Sequence, residues 1–241
     1  MALRRSVALV LTFIGLAVVA SIAGMVLLYV IAGRGPAVPA GATLVLRPAG
    51  ALQEVEPDDV VGQFISQDQP TVRGFVDTLR MASRDSRIRT VVLMPSALDI
   101  PYWGKVQEMR DAVLAFRESG KKVVAFLEYG GQREYYLASA ADRVYLMPTS
   151  PLDLTGVASF ELFLRGTLDK VGVYPDFLHI GDYKTAVNTF TERTFTPAHR
   201  EMAESLNRDM YQQLVQGIAT ARRKTEAEVR ALIDQGPFSP E

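Results

Sequence analysis

From Ser6 to Gly33 the chain carries no charged residue, and the run VALVLTFIGLAVVASIAGMVLLYVIA (7–32) is apolar almost throughout. A helix rises about 1.5 Å per residue, so this run is long enough to cross the roughly 30 Å hydrocarbon core of a bilayer. The apolar region of a cleaved signal sequence is shorter, roughly 7–15 residues. The pattern predicts an uncleaved transmembrane anchor over residues 1–34, a Gly- and Pro-rich linker over 35–41, and a folded region over 42–241.

Beyond the linker, short apolar runs alternate with helical patterns. ATLVLRP (42–48) predicts a strand, and TVRGFVDTLRMAS (71–83) sets Val72, Phe75, Val76 and Leu79 at helical spacing. TVVLM (90–94) predicts a second strand that stops at Pro95. GKVQEMRDAVLAFRESG (104–120) places Val106, Met109, Val113 and Phe116 on one helix face and ends on Gly120. KVVAFLE (122–128) and RVYLMP (143–148) read as strands on either side of a helix over 132–142. ELFLRGTLDKVG (161–172) reads as a helix leading into the apolar run VYPDFLHI (173–180), a buried strand. Several strands are apolar without strict alternation, which indicates a largely parallel sheet covered by helices. Thr196-Pro197 opens a long helix with the stripe Met202, Leu206, Met210, Leu214 and Ile218, suited to a core or a partner. A last helix (225–236) opens on a capping box, Thr225 with Glu228, and stops at Gly236.

Composition narrows the chemistry. Of 241 residues, 26 are Lys or Arg and 27 are Asp or Glu, so a net charge of −1 gives no electrostatic case for nucleic acid. Cysteine is absent, which excludes disulfides and thiolate chemistry. Two histidines, His179 and His199, are too few for a multi-histidine metal site, and no metal or cofactor is expected. The sequence holds no phosphate-binding glycine loop, no His-Glu-x-x-His and no Gly-x-Ser-x-Gly. Arg4 and Arg5 precede the apolar run and only Arg34 follows it closely, so the positive-inside rule leaves the N-terminus in the cytoplasm and residues from about 35 onward outside. Pattern alone leads to a membrane-anchored α/β domain that faces outward, and no further.

Three stretches carry a resemblance. GKKVVAFLEYGGQREYYLASAADRVYLMPTSPLDLTGV (120–157), HIGDYKTAVNTFTERTFTPAHREMAESL (179–206) and the tail LIDQGPFSPE (232–241) together resemble the signal peptide peptidase A family, the membrane-bound serine–lysine peptidases of bacteria. The likeness runs over roughly residues 40–241, and the second stretch is its most specific part. It implies an α/β fold of the crotonase/Clp-protease type, with an N-terminal transmembrane helix and C-terminal helices. In two-repeat members the catalytic lysine comes from the first repeat and the serine from the second. The lysine segment is matched by Gly181-Asp182-Tyr183-Lys184-Thr185-Ala186, so the resemblance makes Lys184 the general base. Such a base must be neutral, which needs desolvation or a nearby positive charge to lower its pKa from about 10.4.

The serine position departs from the pattern. Where the second repeat has Ser-Gly-Gly, this chain has Gln132-Arg133-Glu134, and Gln132 is no nucleophile. Ser96, Ser139, Ser150 and Ser159 have no supporting motif. His179 reads as a strand-end residue, and Tyr135 and Tyr136 as core or interface. The resemblance thus implies the N-terminal half of a membrane-anchored serine endopeptidase that degrades remnant signal peptides or similar apolar peptides. The nucleophile is expected in a C-terminal repeat or second chain outside these residues, as if this were a fragment or one half of a split enzyme. A homo-oligomer is expected by analogy. The implied location is the cell inner membrane, single-pass, with the soluble part facing the periplasm or cell exterior. A non-catalytic binding or assembly subunit of the same fold is the alternative. An acyl-CoA hydratase or isomerase is a weaker third, opposed by the outward-facing anchor and by the lack of a recognisable pair of catalytic glutamates.

Overall fold

The computed structural model describes residues 2–32, 38–55, 70–100 and 103–240. The chain divides into two compact units, Met1–Ala40 and Gly41–Glu241. The first holds α1 (Ala2–Ala32). Its stretch Leu11–Val30 is long and apolar enough to cross a membrane, and none of it is buried in protein. Of the expected linker, residues 35–37 lie outside the described residues, and 38–41 form no helix or strand.

The second unit is built on a parallel sheet of β1 (Ala42–Leu46), β3 (Ile88–Leu93), β5 (Lys122–Leu127) and β6 (Arg143–Leu146), in that spatial order. Two short strands, β2 (Ala49–Gly50) and β4 (Ser96–Leu98), pair beside it, also in parallel. The register sets Val45 against Val92, Val92 against Val124 and Phe126 against Tyr145. One face of the sheet is dry: Val91, Leu93, Val123, Ala125 and Leu127 are fully buried. Helices α2 (Val72–Arg84) and α3 (Trp103–Glu118) pack against each other, and their apolar faces join this core. The opposite face is only half covered, with Val45 and Tyr145 about half exposed. The expectation of a sheet covered by helices therefore holds for one face.

Local chemistry explains the helix ends. Thr71 caps α2 by accepting from the Gly74 N–H at 2.9 Å. The Lys121 ammonium closes the other end, donating to the carbonyls of Ala82 and Asp85 at 2.6 and 2.7 Å. Gly120 takes φ +82° in the turn before β5, a region open to glycine. Helix α4 (Gln132–Ala138) buries Glu134, Tyr136, Leu137 and Ala138 and is shorter than the 132–142 read from the pattern. The small residues after it, Ser139 to Ala141, are buried in a tight turn instead.

Two sequence expectations fail further on. The helix expected over 161–172 forms only as α5 (Arg165–Lys170). The run 173–180 is no buried strand: it has no regular structure, Tyr174 and Ile180 are about 80–90% exposed, and Leu178 is fully exposed. A strand needs a neighbouring backbone for its N–H and C=O groups, and none of the six described strands pairs with this run. Pro175 also supplies no donor.

A 3₁₀ turn (Thr185–Val187) and α6 (Asn188–Thr191) lead to α7 (Pro197–Arg222), capped by Thr196, whose Oγ1 accepts from the His199 N–H at 3.2 Å. Of the α7 stripe, Leu214 and Ile218 are buried, while Met202 and Leu206 face solvent. Helix α8 (Glu226–Gln235) has the expected capping box: the Thr225 N–H donates to Glu228 Oε2 at 2.7 Å, and the Glu228 N–H to Thr225 Oγ1 at 3.2 Å. Gly236 caps its C-terminal end, at a position where only glycine fits: the Leu154 carbonyl oxygen lies 2.1 Å from where a Cβ would stand.

Candidate active site

Lys184 sits on a turn. Gly181, at φ +87°, lets the chain reverse, and the Lys184 N–H donates to the Gly181 carbonyl at 3.1 Å. The residues just after the lysine anchor this turn. Thr185 and Asn188 are buried, with Thr185 Oγ1 3.9 Å from Met202 Sδ and Asn188 Nδ2 3.4 Å from His199 Nδ1. His199 is buried in turn, edge-on to Phe163 and Phe195 at 5.7 and 5.0 Å, with Nε2 4.0 Å from Glu161 Oε2. Tyr183 is tied back to α7, its hydroxyl donating to Glu201 at 2.7 Å. That bond holds the Tyr183 phenol above its ordinary value. The Lys184 side chain is exposed, and its amine makes no hydrogen bond or ion pair with any described residue. Beside this turn lies an acidic cavity of about 490 Å³, lined by His179, Asp182, Tyr183, Glu192 and Glu201 among others.

The second place of interest is the turn after β5. Gln132 opens α4, and its side-chain amide is bonded to the loop after Leu154. Its Oε1 accepts from the N–H groups of Gly156 and Thr155 at 2.8 and 3.2 Å, and its Nε2 donates to the Gly156 carbonyl at 2.9 Å. Glu134 and Arg133 both reach back to Leu98. The Leu98 N–H donates to Glu134 Oε1 at 2.5 Å, and Arg133 Nη1 lies 3.5 Å from the Leu98 carbonyl. These residues, with Ser96, Trp103 and Met210, line a cavity of about 580 Å³. It shares no described lining residue with the cavity beside Lys184.

Ser139 is buried, donating to the Tyr136 carbonyl at 2.8 Å. Ser150 is buried and accepts from the Gly130 N–H at 3.2 Å, and Ser159 is exposed. Ser96 lines the 580 Å³ cavity, where the described lining holds neither histidine nor lysine to take its proton. Tyr136 is buried and Tyr135 packs against the core; burial pushes both phenols up.

Two polar centres escaped the sequence reading. Arg110 is buried among α3, α4 and α7, donating to the Gly217 carbonyl at 2.5 Å and lying 4.8 Å from the Tyr136 ring centroid. Burial pulls its guanidinium below the ordinary value. It falls four residues after Val106 on the apolar stripe of α3, so helical spacing did carry that signal. The Asn188–His199 contact joins residues eleven apart through a chain reversal, which no periodicity encodes.

Comparisons with known proteins bear on the same segments. The chain is 32% identical over 160 residues to "Serine protease SPPA, chloroplastic" of Arabidopsis thaliana, covering 66% of this chain and 24% of that protein. It is 30% identical over 163 residues to "Protease 4" of Salmonella typhi, covering 66% and 26%. The chain thus spans about a quarter of the length of these curated relatives. Among solved structures it is similar to Pseudomonas aeruginosa DspI (13% identity, TM-score 0.31, 68% of this chain and 75% of that one). It is also similar to an enoyl-CoA hydratase of Bacillus halodurans (11% identity, TM-score 0.30, 68% and 80%). Residues 115–240, from the end of α3 through α8 and including Gln132 and Lys184, match the profile of Peptidase family S49, and the chain belongs to that family, the signal peptide peptidase A family.

Proposed function

We propose that this chain supplies the general base, Lys184, of a membrane-anchored serine–lysine endopeptidase whose nucleophilic serine stands in a second, C-terminal repeat or chain. One observation carries the reading. Lys184 stands on a turn held by buried Thr185 and Asn188, its amine has no partner among the described residues, and the nearby chain exposes Tyr174, Leu178, Ile180 and Tyr183. A partner half that covered this apolar surface would also take the amine out of water. Desolvation favours the neutral form of a lysine, and only the neutral amine can accept the serine O–H proton. The serine oxygen would then attack the peptide carbonyl, and the protonated lysine would return the proton to the leaving amine.

The substrates of this reading are cleaved signal peptides and similar extended apolar peptides, bound by strand addition. Helix α1 serves as a single-pass anchor in the inner membrane, with the larger unit on the periplasmic or outer side, and the active assembly is a homo-oligomer. A non-catalytic binding or assembly subunit is the second reading. It is favoured by Gln132, which cannot attack a carbonyl and is bonded on both sides of its amide to Gly156.

The deciding experiment combines the full chain in detergent with a separately made Ser-Gly-Gly repeat of the family and follows turnover of a fluorogenic apolar peptide. Turnover is expected from the mixture and not from this chain alone. Lys184→Ala and Lys184→Arg should each lower it by about 10²–10⁴-fold, because arginine keeps its proton at working pH. Near-normal turnover with Lys184→Arg would make the lysine a positive-charge contact and leave the binding-subunit reading.

A further inference from the structure

One wall of the Gln132 cavity combines an irregular strand with a buried acidic side chain. The β2–β4 register passes from Ala49 opposite Ser96 to Gly50 opposite Leu98, leaving Ala97 as an extra residue. Ala97 takes φ +45°, a left-handed conformation that disfavours any side chain. Its effect is specific. The Ser96 N–H bonds the Pro48 carbonyl and the Asp99 N–H bonds the Gly50 carbonyl, each toward β2, while the Leu98 N–H between them turns toward the cavity. Glu134 meets it there. The Glu134 carboxylate is buried, accepts this one N–H at 2.5 Å, and has no cationic partner among the described residues. Its other oxygen fills the space beside Gly131, where a Cβ would stand 2.1 Å from Oε2. The Glu134 carboxyl thus stands at the cavity wall against a single main-chain donor.

We infer that the Leu98 N–H and the space beside Gly131 form an anion-binding niche in the cavity wall, and that Glu134 is its built-in occupant. The ligand class is a small carboxylate or an oxyanion of similar size. With Glu134 in place, a peptide lying in the cavity finds no free donor at Leu98, so this half holds peptide without polarising a carbonyl. The inference rests on the proposed function for that consequence alone. Its test uses this chain without a second repeat, so its failure leaves the Lys184 assignment standing.

The test is chemical rescue of the full chain in detergent micelles. Glu134→Ala empties the niche, and Glu134→Gln keeps it filled by an uncharged side chain of the same shape. Thermal unfolding is followed in sodium acetate and in sodium chloride of equal ionic strength. Acetate should raise the Tm of Glu134→Ala saturably, by about 3 °C at roughly ten times its Kd, and leave wild type and Glu134→Gln unmoved. Equal movement of all three, or of none, overturns the niche. If Glu134→Ala does not fold, the Leu98 amide proton decides. It should lie far downfield in wild type, where the bond is charge-assisted, and move upfield in Glu134→Gln. An unchanged Leu98 resonance overturns the inference.

Discussion

Gly217→Ala sets two principles against each other at one atom. Gly217 lies inside α7, where glycine is about 0.8–1 kcal/mol less favourable than alanine, so helix propensity alone makes the change stabilising. Packing says the opposite. An added Cβ would stand 2.6 Å from Tyr136 Cε2 and 3.0 Å from its hydroxyl. The ring has nowhere to go: it is buried, its centroid is 4.6 Å from that of Trp103, and the Arg110 guanidinium lies over it at 4.8 Å. Overpacking a closed core costs about 1–3 kcal/mol. Any retreat of α7 also lengthens the 2.5 Å bond from Arg110 to the Gly217 carbonyl, and a bond to a charged donor contributes about 1.5–3 kcal/mol. Partial loss of that bond plus the overpacking exceeds the propensity gain, for a net destabilisation of about 1–2 kcal/mol. In a folded unit of this size that lowers Tm by about 2–8 °C. Thermal unfolding of both proteins in the same detergent measures it. The companion is Gly217→Ala in a Tyr136→Leu background, where the clash is gone and the change should be neutral or stabilising. A Gly217→Ala protein as stable as wild type, or the same penalty with leucine at 136, refutes the packing account.

Lys121→Met removes the two ammonium bonds that close α2 and should lower stability by about 2 kcal/mol, measured as a shift in the urea midpoint at constant slope. Asp85 is held down to about 2, first by the Arg87 side chain and then by the Arg87 N–H. Because its folded pKa lies below the unfolded value near 3.9, its contribution is present above about pH 4 and is lost as pH falls toward 2. Asp85→Asn should flatten the acid limb of stability over that window, and an unchanged limb would show that the Asp85–Arg87 pair has no part in it. If α1 anchors the chain, the full-length protein should stay with membranes through alkaline carbonate extraction, and protease added from outside should cut beyond residue 41. A freely soluble full-length product would remove the anchor.

Much of the parallel core was legible because it is local. Val72, Phe75 and Leu79 recur at helical spacing, the valines of 122–127 favour an extended chain, and Thr196, Thr225 and Gly120 mark ends whose chemistry lies within a few residues. The apolar span Leu11–Val30 was equally plain, since length and lack of charge are properties of the chain itself. The motif around Lys184 was legible only by resemblance, because a single lysine has no pattern of its own. What the sequence left open is what depends on a partner surface. The run 173–180 has the composition of a strand, yet it stays exposed for want of a neighbouring backbone to receive its hydrogen bonds. The stripe Met202, Leu206, Met210 is continuous with Leu214 and Ile218, yet only the last two meet the core. The bond from Leu98 to Glu134 spans 36 residues and depends on the left-handed turn at Ala97. Periodicity records which side chains avoid water, and only the assembled tertiary structure decides which of them have something to avoid it against.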